Sequence, residues 1–239
     1  MIVFFVVDRP ASLRILEPLT KEYLMGFMSH PNTSKNFQEM FSKFDNVVKM
    51  CDCGAWTKEG APRDYEKLFS IYERMKVDYG LIIDYLWDYE KTLESAKKAM
   101  EVYSTGSYKF KLVGVAQGKS KQEYLKCLNK LIKLDFEHIA VGGLLTKVPN
   151  TARYVRVRNE QFMWDILSAI RREYDGWLFA LGCYHPKRHK RFEQLNLFGS
   201  DYKGWIFRYK NTESRFEEVR EWIRRNIYGK VSSNLSLFG

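Results

Sequence analysis

Short, continuously apolar runs alternate with longer amphipathic stretches along the whole chain, and this alternation limits the available folds more than any other feature. The runs occupy residues 2–7, 47–51, 79–83, 111–116, 138–141, 177–181 and 195–200. Consecutive apolar positions suit strands buried on both faces, as in parallel sheets. The stretches between them carry helical periodicity. Residues 64–76 align Leu68, Ile71, Tyr72 and Met75; residues 88–103 align Leu93, Ala96, Met100 and Tyr103. Residues 120–134 open with Ser120 and Glu123 at capping-box spacing, and residues 214–227 open the same way with Ser214 and Glu217. Residues 159–174 complete the set with Phe162, Met163, Ile166, Leu167 and Ile170.

Strand–helix alternation at this spacing predicts an α/β fold. The expected architecture is one compact (β/α)8 TIM-type barrel over residues 1–230, with an irregular or missing element; a doubly wound open sheet is the alternative. Seven strands are countable, and an eighth falls in residues 20–30 or 151–158. The tail at 231–239 is small and polar and is expected to be flexible. Chain length (239 residues), 45% hydrophobic and 28% charged residues fit a folded domain and exclude general disorder. The apolar run at the N-terminus is six residues long with no preceding basic stretch, so it reads as a buried strand. No run approaches bilayer length, and four cysteines are too few for a disulfide framework, so a soluble, cytoplasmic protein with no membrane partner is expected.

Charge is uneven. Residues 1–150 carry 22 Lys and Arg against 19 Asp and Glu, whereas residues 151–239 carry 17 against 10. A basic half points to a phosphate-bearing partner.

In a barrel, reactive groups stand at the C-terminal ends of strands. Those ends hold Asp8; Asp52, followed by Cys53-Gly54-Ala55-Trp56; Asp84; Gln117-Gly118; Gly142-Gly143; Gly182; and Asp201. One strand-end Asp is usually a helix cap. Several acids and a glutamine converging on one mouth exceed what a core requires.

These residues carry a resemblance to the tRNA-guanine transglycosylase superfamily, which also includes enzymes that place 7-deazaguanines in DNA. Its Asp-Ser-Gly-Gly-aromatic motif is matched by Asp52-Cys53-Gly54-Ala55-Trp56, and its paired acids by Asp78 and Asp84 flanking Tyr79-Gly80-Leu81-Ile82-Ile83. Val115-Ala116-Gln117-Gly118 and Val141-Gly142-Gly143-Leu144 match two further segments. Gly182-Cys183-Tyr184-His185-Pro186 keeps the first Gly and the Pro of a turn that precedes the family's nucleophile, placing Asp201 in that role.

The resemblance implies that Asp201 attacks C1′ and forms a covalent glycosyl intermediate, with Asp52 as general acid/base. It implies that Asp84 accepts hydrogen bonds from the base edge and that Gln117 and the Gly143 N–H read a base carbonyl, with Gly118 and Gly142 lining the site. Trp56 and Leu181 would sandwich the ring. Cys53 replaces a Ser and is expected to be a small pocket residue. Lys187, Arg188, Lys190, Arg191, Lys203 and Arg208 would meet nucleic-acid phosphates.

The zinc-ligating cysteines of the tRNA-modifying members have no counterpart after Cys183, so no metal and no cofactor are expected. That departure favours DNA over tRNA as the partner; a free 7-deazaguanine base, and a second copy of the chain or a partner protein, are the other expected partners. A hydrolytic N-glycosidase or other barrel hydrolase using the same carboxylates, and a non-catalytic nucleic-acid-binding subunit, are the alternatives.

Overall fold

The computed structural model describes residues 1–55, 57, 59–62, 64–147, 155–157, 160–208 and 215–229. Trp56 and the tail at 231–239 lie outside them, as does the side chain of Arg208. Among the described residues, ten strands form: β1 (Ile2–Val6), β2 (Gly26–Ser29), β3 (Val48–Cys51), β4 (Tyr79–Leu81), β5 (Lys111–Ala116), β6 (His138–Val141), β7 (Leu145–Lys147), β8 (Val155–Val157), β9 (Trp177–Ala180) and β10 (Gly199–Tyr202). Eight α-helices accompany them among the same residues: α1 (Pro10–Leu16), α2 (Lys35–Ser42), α3 (Tyr65–Met75), α4 (Tyr89–Thr105), α5 (Lys121–Lys133), α6 (Glu160–Glu173), α7 (His189–Gln194) and α8 (Phe216–Ile223).

Eight strands, all parallel, close into a barrel in the order β1-β2-β3-β4-β5-β6-β9-β10 and back to β1. Each is followed by a helix, so the fold is a (β/α)8 TIM barrel and not the open sheet. β7 and β8 form an antiparallel hairpin between β6 and α6. The eighth barrel strand is β2. It is four residues long, fully buried, starts with Gly and contains no β-branched residue, so it carries little strand signal. Residues 155–157, the other candidate, belong to the hairpin.

Capping fixes where the outer helices start. Asp64 accepts from Lys67 N at 2.7 Å, Asp88 from Lys91 N at 3.0 Å and Ser120 from Glu123 N at 3.3 Å. The last barrel strand is displaced from the expected 195–200. Leu195 ends α7, Asn196 turns the chain with φ 48°, and pairing with β1 covers residues 199–202. Asp201 therefore sits inside the strand, near its C-terminal end.

Aromatic side chains fill the N-terminal end of the barrel. Trp177 stacks on Tyr79 with centroids 4.8 Å apart and meets Phe198 at 4.7 Å, while His138 packs against both Tyr79 and Trp177. Phe4 and Phe179 form the next layer edge to face at 5.0 Å.

Two arginines hold the outer ring together. Arg171 donates to the carbonyls of Tyr174, Gly176, Leu195 and Asn196 at 2.9–3.0 Å. Arg224, in the π-helical turn after α8, pairs with Glu22, Glu217 and Glu221 at 2.8–3.0 Å, joining the last helix to the first βα unit.

Candidate active site

The C-terminal ends of β3, β4, β5, β6, β9 and β10 bring Asp52, Asp84, Gln117, Gly143, Leu181 and Asp201 to one mouth. Asp52 follows β3, and its backbone N–H bonds Ser29 O at 2.8 Å, one step beyond the last β2–β3 pair. Its carboxylate accepts the Gly54 N–H at 3.0 Å, which shapes the turn that carries Cys53. Asn32 ties the far side of this loop by donating to Gly60 O at 2.7 Å.

Asp201 is 9% exposed and accepts a short hydrogen bond from Gly182 N–H, whose φ of 65° turns that amide toward it. Loss of water pushes its carboxyl up to about 7, the Gly182 bond opposes this, and the charge of Asp52 adds to it. Asp84 is half-buried. Loss of water and the nearby Asp52 charge push it up to about 6, against the hydrogen bonds it receives from Gln117 and Cys53. Asp52 thus acts electrostatically on both other carboxyls. Clustered carboxyls whose proton affinities are raised by burial and by a neighbouring charge are common equipment for acid–base and nucleophilic chemistry.

Asp84 is held tightly. Gln117 Nε2 donates to its Oδ2 at 2.5 Å and Cys53 Sγ to its Oδ1 at 3.5 Å. Gln117 is buried, and its Oε1 accepts the Trp87 N–H at 3.2 Å. Both ends of this amide are engaged by protein, so Gln117 positions Asp84 in this arrangement. Burial holds the Cys53 thiol well above its ordinary range, so it stays protonated and donates.

Glycines let these groups approach. A Cβ on Gly142 would fall 2.5 Å from Gln117 Nε2, and one on Gly118 would fall 2.8 Å from Tyr124 N, at the first turn of α5. Gly143 has φ 70°, and its carbonyl accepts the Trp87 indole N–H at 2.6 Å. Leu181 lies half-buried at the end of β9, beside Gly182.

The basic residues divide. Lys187, Lys190 and Lys203 are exposed around the mouth. Arg188 is consumed by structure: its guanidinium donates to Cys183 O at 2.9 Å and pairs with Glu160 at 3.3 Å. Arg191 stacks on Trp164, its guanidinium carbon 4.2 Å from the ring centroid. Arg208 belongs to the 3-10 turn Gly204–Arg208.

His30, just past β2, did not stand out in the sequence. The β1–β2 and β2–β3 registers, extended by one or two residues, set Asp8, His30 and Asp52 in one row across three neighbouring strands. Burial lowers the His30 pKa despite the charges of Asp52 and Asp8. The only available signal was a lone His after a short apolar run, which is weak without the register.

No helix among the described residues is long and apolar enough to cross a membrane. No family model matches the chain. A DNA-guanine transglycosylase of Salmonella montevideo is 26% identical over 122 residues, covering 42% of this chain and 29% of that protein's length. The closed eight-stranded parallel barrel and this distant likeness are together consistent with the tRNA-guanine transglycosylase superfamily.

Proposed function

We propose that this chain is a pentosyltransferase that exchanges guanine in DNA for a free 7-deazaguanine base through a covalent aspartyl intermediate. The observation that carries this reading is the mouth itself. Asp201 and Asp84 both have raised proton affinities and Asp52 lies close enough to influence each. The likeness to a DNA-guanine transglycosylase supplies the reaction class.

In this mechanism Asp201, ionised, attacks C1′ as the bond to guanine breaks, and the bonding pair leaves with the base. Asp52 protonates the departing guanine. The incoming base then gives its proton to Asp52, and its nitrogen displaces the Asp201 carboxylate from C1′. Both transition states have oxocarbenium character, which a flanking carboxylate stabilises. Asp84, fixed by Gln117 and Cys53, accepts from the N–H groups of the base edge. Gly182 N–H orients the nucleophile.

The direct test is incorporation of labelled guanine into duplex DNA or tRNA, with trapping of a protein–nucleic-acid adduct. Exchange into DNA supports the full reading, and exchange into tRNA alone moves the substrate. Release of guanine without incorporation of any base identifies a hydrolase, and no turnover with tight binding identifies a binding subunit. Asp84→Ala should lower kcat/KM for guanine by about 10²-fold or more while nucleic-acid affinity changes less than threefold, since a buried polar base contact is lost and no phosphate contact is. Equal losses in both would remove the assigned role.

Lys187 and Lys190 should contribute the salt dependence. Replacing both by Ala should reduce the slope of log affinity against log salt by about 2. Arg188→Ala should leave that slope unchanged and lower thermal stability instead, because its partners are Glu160 and Cys183 O. A slope lost with Arg188 and kept without the lysines would reverse the assignment.

A further inference from the structure

Trp87 lies in the turn between Asp84 and α4, and its backbone has φ 60°. A bulky aromatic residue is rarely found in the left-handed region, and such outliers persist where surrounding contacts over-determine them. Three hydrogen bonds do so here. Asp88 N–H closes the turn onto Tyr85 O at 3.0 Å. Trp87 N–H donates to Gln117 Oε1 at 3.2 Å, and the indole N–H donates to Gly143 O at 2.6 Å. One residue thereby holds the two segments that face Asp84.

The consequences for recognition are directional. With its Oε1 taken by Trp87 N–H, the Gln117 amide must turn its nitrogen to Asp84, where it donates at 2.5 Å. With its carbonyl engaged by the indole, Gly143 keeps one of its two acceptor lone pairs, while its N–H makes no hydrogen bond among the described residues. The Gly143 segment presents a free donor beside an acceptor that is already engaged. A ring carbonyl satisfies it, and an exocyclic amine set against the N–H leaves two donors facing each other. Such a mismatch in a desolvated site is costly.

We infer that Trp87 is the positioning residue that makes this site select a 6-oxopurine over a 6-aminopurine, by engaging the Gly143 carbonyl and fixing the Gln117 amide. This rests on the base-exchange reading above. Trp87 touches Gly143, whose N–H faces the base, and Gln117, which holds Asp84, so it acts through them.

The test compares guanine with 2,6-diaminopurine, which share the 2-amino group and differ in the oxo or amino group at C6 and the protonation of N1. Affinities for both are measured by calorimetry on the wild-type protein, Trp87→Phe and Trp87→Gly. Phe keeps a ring and the main-chain N–H and loses only the indole donor. Gly keeps the main-chain N–H and relieves the left-handed backbone, so it guards against a folding defect. In both variants the freed Gly143 carbonyl can accept from the 6-amino group, so the preference for guanine should fall about tenfold, with diaminopurine gaining.

Guanine binding with an unchanged preference in Trp87→Phe would overturn the inference while leaving the base-exchange reading intact. If the wild-type protein binds neither base, the base-exchange reading and the selectivity both fail. The lock itself is then still read in the ligand-free protein by exchange of the Gln117 side-chain amide protons. Faster exchange in Trp87→Gly supports the lock, and an unchanged rate overturns it.

Discussion

Asp201→Asn should abolish base exchange, by about 10⁴-fold or more in kcat, and should eliminate any trapped adduct, because a neutral amide cannot form the glycosyl ester. The same variant should be more stable than the wild-type protein at alkaline pH. In the folded protein burial pushes the Asp201 carboxyl up to about 7, above its ordinary 3.8. A carboxyl raised in this way makes its full contribution to stability below the unfolded value and loses it as pH rises through about 7. Over that window the wild-type chain should lose on the order of 2–4 kcal/mol relative to the Asn variant, which retains an acceptor for Gly182 N–H without a buried charge. Chemical denaturation of both proteins at pH 5 and pH 8 measures the difference. Equal stability at both pH values would contradict the burial argument, and retained exchange would remove Asp201 as nucleophile. The same titration predicts that kcat/KM of the wild-type enzyme rises with pH along a limb centred near 7, since the attacking carboxyl must be ionised.

Gly143→Ala should produce the second largest effect, and for a different reason. Its φ of 70° strains any side chain, and the added Cβ would collide with Gln117 Oε1 and lie 3.0 Å from both Trp87 Cδ1 and Tyr124 Oη. Gln117 cannot yield without releasing Asp84, and Trp87 cannot yield without releasing Gln117. The variant should lose roughly 2–4 kcal/mol of stability, combining backbone strain with overpacking. Exchange should fall about 10²-fold or more even at temperatures where the variant remains folded, because the base-reading groups are displaced together. Thermal melts and steady-state kinetics on the same preparation separate the two losses. An Ala variant with wild-type kinetics would show that the Gln117–Asp84 pair tolerates movement and that its geometry matters little.

Much of this arrangement was legible in the sequence. Parallel strands buried on both faces write themselves as continuous apolar runs, so β1, β3, β4, β5, β6 and β9 were visible, and with them the strand ends that carry Asp52, Asp84, Gln117 and Gly143. β2 was ambiguous because Gly26-Phe27-Met28-Ser29 has little intrinsic strand preference and forms through pairing on both sides. The shift of the last strand has a similar origin. Leu195 and Leu197 look like strand residues but serve the end of α7 and the turn into β10. The short helices α1, α2 and α7 span six to eight residues, too few to establish a period. Charge identity was legible and charge partnership was not. Arg188 and Lys187 are neighbours in sequence, yet one is tied to Glu160 and the other stands in solvent. Trp87 escaped notice because its role depends on a backbone angle and on two partners at sequence separations of 30 and 56 residues.

The aromatic layers at the N-terminal end of the barrel have a kinetic consequence. Tyr79, His138, Trp177 and Phe198, with Phe4 and Phe179 above them, pack the N-terminal end of the interior with rings. For the proposed exchange, the expelled guanine and its replacement then use the same C-terminal mouth, and nucleic acid attached through Asp201 stands in it throughout. The first base has to depart before the next arrives. Initial velocities should therefore follow a ping-pong pattern, with free guanine competing directly against the incoming 7-deazaguanine.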